Sequence, residues 1–206
     1  MTPAVLNEVV AGRAPGVLPI SVDQLHRMLS LGILLEGDPV ELIEGVLVRK
    51  NRSDAGQGEN VHGPRHAYAV SCLARLDRRL EPLGAHIRTQ LPVTLSNVSE
   101  PEPDGAIVRG APRDFASAHP TPEQVLVVFE VADSSLEYDR TTKQRLFAAA
   151  GIATYVIVNV QAECLEVFEE PNGNQYARTA TLERGSKLAL SGLIEISVNE
   201  LLPAVS

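Results

Sequence analysis

Apolar positions follow a helical period in some stretches and a strand period in others, and the alternation predicts an α/β chain. Val22, Leu25, Met28 and Leu29 recur at helical spacing behind Ser21, which reads as an N-cap, with Gly32 as the stop. Val40–Val48 reads as two short apolar strands around a Glu44-Gly45 turn. Arg65 to about Leu80 predicts one helix with Val70, Leu73, Ala74, Asp77 and Leu80 on its stripe, ended by Pro82 and Gly84. Ala85–Leu95 alternates as a strand, and Gly105–Val108 is a short strand behind Pro103.

The second half is more regular. Val125–Val131 is apolar on both faces and predicts a strand covered on both sides. Asp139–Ala150 predicts a helix and Thr154–Val160 another buried strand. That order and spacing predict a parallel βαβ unit with a right-handed crossover. Leu165–Glu169 and Gln175–Thr181 flank Pro171-Asn172-Gly173-Asn174 as a hairpin, and Leu188–Leu190 and Ile194–Ser197 are short apolar pieces. Residues 1–17 show little periodicity and read as an N-terminal arm, leaving 18–206 as one domain. Ser53–Pro64, polar and glycine-bearing, reads as a long mobile loop.

Composition narrows the picture. A chain of 206 residues with 44% hydrophobic and 21% charged residues can bury a proper core. Aromatics make up 4% and Trp is absent, so the core is expected to rest on Val, Leu, Ile and Ala. The formal net charge of −8 argues against a broadly basic nucleic-acid surface, though not against a local basic groove. Cys72 and Cys164 belong to no metal pattern and read as buried thiols of a cytoplasmic protein. No secretory signal and no membrane-spanning run is visible.

Three charged residues fall where the local pattern favours apolar ones. Glu130 closes the apolar strand, so its carboxylate must be solvated, paired or bound to a cation. Asp104 opens the neighbouring strand after Pro103; alone it reads as a Pro-Asp-Gly turn. Together, two carboxylates from adjacent strand ends supply the hard oxygen ligands that Mg²⁺ or Mn²⁺ prefers, with the Val131 carbonyl completing the protein's share. Lys143 lies on the helix stripe of Leu146, Phe147 and Ala150, which should face the sheet. It reads as a lysine reaching an acid, as a snorkelling surface residue, or as the partner of Asp139 at i,i+4. Asp139 reads as a helix-dipole or capping acid.

Pro103-Asp104, Glu130-Val131 at a strand end, Asp139-x-x-x-Lys143 and Ala150-Gly151-Ile152 resemble the Uma-type family of restriction-endonuclease-like proteins, within the PD-(D/E)XK nuclease superfamily. Glu41-Leu42-Ile43-Glu44-Gly45 and His66 at a helix head match its N-terminal half, and the likeness covers roughly residues 18–202. The resemblance implies a restriction-endonuclease-like core, a mixed β-sheet flanked by helices. It implies a Mg²⁺- or Mn²⁺-dependent nuclease acting on DNA. Asp104 and Glu130 would be its metal carboxylates and Lys143 its catalytic lysine, moved from the position of Ala132 to the helix. It further implies Glu41 as a supporting acid, with Glu44 as its rival, and His66 either lining the cleft or acting as a satisfied or capping histidine. The basic run Arg49–Arg52 would contact a nucleic-acid backbone or remain a solvated turn. The alternative is a non-catalytic member of the fold, a binding or regulatory module, with homodimerisation as one form of it.

Overall fold

The computed structural model describes residues 16, 18–50, 63–190 and 193–203. Apart from residue 16, the predicted N-terminal arm lies outside the described residues. So do most of the predicted loop and the Asn51-Arg52 half of the basic run.

Helix α1 (Val22–Ser30) begins with a full capping box: Gln24 N–H donates to Ser21 Oγ and Ser21 N–H donates to the Gln24 side chain. It packs Val22 and Leu25 on Leu42 of the hairpin formed by β1 (Val40–Ile43) and β2 (Val46–Arg49). Glu44 and Gly45 at the turn have φ of 50° and 79°, as a primed hairpin turn requires.

Six strands form the central sheet: β3 (Ala85–Arg88), β4 (Gly105–Arg109), β5 (Val125–Ala132), β6 (Thr154–Asn159), β7 (Cys164–Asn172) and β8 (Gln175–Glu183). They lie in chain order, and β5 and β6 are its parallel pair, as the βαβ pattern predicts. The remaining neighbours are antiparallel. Two small strands, β9 (Lys187–Ala189) and β10 (Glu195–Ser197), pair separately.

Helices cover both faces. On one, α2 (Pro64–Ala74), α3 (Asp77–Leu80) and the C-terminal α6 (Val198–Leu201) pack Leu73, Leu76, Leu80 and Leu201 on Ile107, Phe129, Val156 and Val158. On the other lies one helical run made of α4 (Leu136–Tyr138), a π-helical turn (Asp139–Lys143) and α5 (Gln144–Ala149). Its Phe147 and Ala148 pack on Val128, Tyr155, Ile157 and Tyr176.

The structure corrects several expectations. The helix predicted over Arg65–Leu80 breaks after Ala74, and its buried stripe is Ala69, Cys72, Leu73, Leu76 and Leu80; Ala74 and Asp77 face solvent. The strand predicted to Leu95 stops at Arg88, because Gln90 adopts a φ of 53°, which no strand tolerates. A bulge opposite Ile107/Val108 breaks the simple alternation expected along Val125–Val131, putting Val125 in the helix-run core and Leu126 in the opposite one. Aromatics matter more than their number suggests: Phe147, Tyr155, Phe168 and Tyr176 form one contiguous ring cluster. No helix among the described residues is long and apolar enough to cross a membrane.

Candidate functional site

The antiparallel pairing of Gly105 with Phe129 carries Asp104 and Glu130 to facing positions at one end of the sheet. Each carboxylate accepts a backbone N–H from the other strand. Asp104 N–H donates to Glu130 Oε2 at 3.2 Å, and Val131 N–H donates to Asp104 Oδ2 at 2.9 Å. The apolar run that makes β5 a central strand thus delivers an acid to its rim, where ligand sites form in open sheets.

Lys143 descends on this pair from the helical run. The residue is buried, and its Nζ donates to Glu41 Oε2 at 2.8 Å and to Glu130 Oε1 at 3.1 Å. Of the readings open for Lys143, the one realised is a lysine directed at acids. Glu41 is supplied by β1 and also accepts Glu102 N–H at 3.2 Å. Glu44 does not reach this point: it is exposed in the turn and forms a two-pronged pair with Arg145, each contact 2.7 Å. A single helical run therefore ties down both rival acids, one inside and one outside.

His66 arrives from the opposite face on the first turn of α2. Its Nδ1 lies 3.1 Å from the Val131 carbonyl and its Nε2 lies 3.2 Å from Asp104 Oδ1. A carbonyl only accepts, so Nδ1 carries a proton and donates it there, which aims Nε2 at the carboxylate. His66 thus lines the cleft, and the carbonyl of Val131, the third predicted oxygen ligand, also serves to orient the ring.

These groups open on a cleft of about 550 Å³. Its walls carry Glu41, Glu102, Asp104, Glu130, Asp133, Glu137 and Asp139 against Arg49, Lys50 and Lys143. Lys50 is paired with Glu102, whereas Arg49 is exposed. An excess of acids repels a polyanion unless cations intervene.

Burial and crowding separate the acids. Burial pushes the Glu130 carboxyl up to about 8, and Asp104, Asp139 and Glu41 add to this against the pull of Lys143. Burial acts on Asp104 in the same direction, but His66, the Val131 N–H and Lys143 together hold it below the usual carboxylate range. Burial would lower Lys143, yet Glu130 and Glu41 outweigh it and hold the ammonium charged. One ammonium thus serves two buried carboxylates.

Asp139 is the residue the sequence reading misplaced. It is buried, accepts Ser135 Oγ–H at 2.5 Å, and is pushed up to about 6, chiefly by burial. It is a cleft acid, not a solvated helix cap. Its position four before Lys143, on the same stripe, was the available signal. The Tyr138 hydroxyl is also buried at the cleft, without a hydrogen-bond partner among the described residues, and burial pushes it up to about 12. No sequence pattern marks it.

Asp104, Glu130 and the Val131 carbonyl form an all-oxygen donor set. Such a set fits a hard divalent cation that retains several of its waters. A cation there would oppose the burial that pushes the Glu130 carboxyl up.

A crystal structure of a putative nuclease belonging to DUF820 from Anabaena variabilis shares this fold, with a TM-score of 0.63 and 17% identity over 89% of this chain and 97% of that one. The restriction-endonuclease-like architecture expected from the sequence is the one observed. No curated protein matches the chain significantly. Residues 22–202 match the Uma2 family, described as putative restriction endonuclease, and the chain belongs to that family.

Proposed function

We propose that this protein is a Mg²⁺- or Mn²⁺-dependent nuclease of PD-(D/E)XK type that hydrolyses phosphodiester bonds in DNA. Asp104 and Glu130 would hold the metal, with the Val131 carbonyl beside them, and Lys143 would be the catalytic lysine. The observation that carries this reading is the Lys143 ammonium, buried and bonded to Glu41 and Glu130 at the head of a cleft that Asp104 also lines. A bound divalent ion would supply a water of lowered pKa and neutralise charge on the phosphate.

The chain's own residues do the remainder. Glu41 keeps Lys143 protonated and fixes its Nζ. From there the ammonium donates to the attacking water or to the phosphate oxygen on which charge develops. Asp104, held ionised by His66 and the Val131 N–H, offers a preformed carboxylate. His66 fixes the Asp104 side chain from the opposite face of the sheet. Exposed Arg49 at the cleft wall is placed to meet a backbone phosphate without reading sequence.

The test is cleavage of plasmid and linear DNA with Mg²⁺, Mn²⁺ or chelator. Metal-dependent cleavage is expected in the parent and absent in Asp104→Ala, Glu130→Ala and Lys143→Ala. Cleavage that survives in Glu130→Ala would sink the assignment.

A further inference from the structure

A second group of metal-ligating side chains lies outside the cleft. His26, Glu100 and His119 each offer a ligand atom, and the three atoms lie within 4.8 Å of one another. They come from α1, from the segment before β4 and from the loop after it. We propose that they form a site for a divalent transition ion of the Zn²⁺ class, distinct from the carboxylate cleft.

Three observations support this. The donor set is right: two imidazoles and one carboxylate suit Zn²⁺, Ni²⁺ or Cu²⁺, whereas Mg²⁺ and Mn²⁺ prefer oxygen. The carboxylate is placed and oriented. Glu100 is 3% exposed, its Oε1 lies 2.7 Å from His26 Nε2, and its Oε2 accepts the Thr94 hydroxyl at 2.5 Å. A hydroxyl holding the distal oxygen is the kind of outer partner that fixes a ligating carboxylate. The site is also open on one side, since the His26 side chain is 47% exposed, which leaves room for an ion to enter and to keep a water.

Arg88 works against the ion. Its Nη2 lies 3.4 Å from His119 Nδ1, a long contact in which the guanidinium donates. Loading the site requires the proton that His26 Nε2 donates to Glu100 Oε1 to leave and Arg88 to withdraw from His119, and removal of Arg88 should tighten binding. An ion held here would fasten α1 to both segments that flank β4. The first of these runs from Glu100 through Glu102 to Asp104.

The experiment is calorimetric titration of Zn²⁺ into the full chain, with Co²⁺ absorption as a second readout of imidazole ligation. The parent and Asp104→Ala should both bind Zn²⁺ at this site and show Co²⁺ bands. His119→Gln should lose both signals, and Thr94→Ala should bind about 10–100-fold more weakly. His26→Gln, at a half-exposed position, repeats the test if His119→Gln fails to fold. The absence of Zn²⁺ binding in the parent, or binding unchanged in folded His119→Gln and His26→Gln, would overturn the proposal. In that case the His26–Glu100–Thr94 chain is only a hydrogen-bonded brace for α1. None of these readouts depends on nuclease activity.

Discussion

Lys143 and Glu41 stand 102 positions apart in the chain and 2.8 Å apart in the fold. The ammonium of one is the counter-ion of the other, and Glu130 shares it at 3.1 Å. Three elements, the β1 hairpin, the rim of β5 and the crossover helix, are locked at one point by that contact.

Removing the cation should therefore cost stability as well as chemistry. Lys143→Met leaves Glu41 and Glu130 buried without their positive partner, and breaking a buried pair in this way costs about 3–5 kcal/mol. Urea unfolding of the metal-free protein should show a loss of that order. A midpoint equal to the parent's would mean that water reaches and solvates the two acids.

The charge of Glu130 should make the metal-free protein sensitive to pH. Its folded carboxyl sits near 8, against about 4.5 when unfolded, so the folded state binds the extra proton between those values. This contribution is complete below about 4.5 and is lost as pH rises through about 8. Melting of the chelator-treated protein should accordingly soften from pH 5 to pH 8.5. Mg²⁺ should reverse the trend, binding more tightly with rising pH and releasing a proton near neutrality, detectable by calorimetry in buffers of different ionisation enthalpy. A melting temperature independent of pH would contradict the crowding of the acids.

Crowding also predicts the effect of removing an acid. Glu130→Gln retains the shape and the contact with Asp104 N–H while deleting one charge from the cluster. The metal-free variant should melt above the parent at pH 8.5 and lose its response to Mg²⁺. Marked destabilisation at that pH would show Glu130 to be a structural partner of Lys143 instead.

His66 touches both Asp104 and the Val131 carbonyl without being one of the proposed oxygen ligands. His66→Ala should weaken Mn²⁺ binding about 10–100-fold, as loss of an outer partner does. Titration followed by electron paramagnetic resonance would measure it. An unchanged affinity would reduce His66 to a lid on the acids.

Gly45 is fixed by both backbone and space. Its φ is 79°, and a Cβ there would overlap the Pro19 side chain. Gly45→Ala should destabilise by more than about 1 kcal/mol. Because Glu41 lies on the same hairpin, the variant should also weaken metal binding, readable in the same titration.

Much of this was legible in the residues. The apolar run of β5 dictates a central strand and its spacing to Thr154 dictates a parallel crossover, while the pairing of β5 with β4 sets the two acids at facing strand ends. Ser21 announces α1, and Glu44-Gly45 announces the hairpin turn between β1 and β2. These are signals of period and local backbone preference, carried within a few residues.

Other features arise only when distant segments meet. Glu41 and Glu44 are equivalent acids in sequence; the side of the hairpin that faces the helical run sends one to Lys143 and the other to Arg145. Asp139 has the sequence position of a helix cap but is buried by a π-helical turn that the apolar period does not encode. His26, Glu100 and His119 have no common motif, and the packing of α1 and two loops brings them within reach of one another. The sequence by itself determined the strands, the crossover and the candidate acids, because those depend on short-range pattern. The tertiary structure decided which acid shares the lysine, which is buried and which is pushed up or held down, because charge interactions depend on distance and burial rather than on order along the chain.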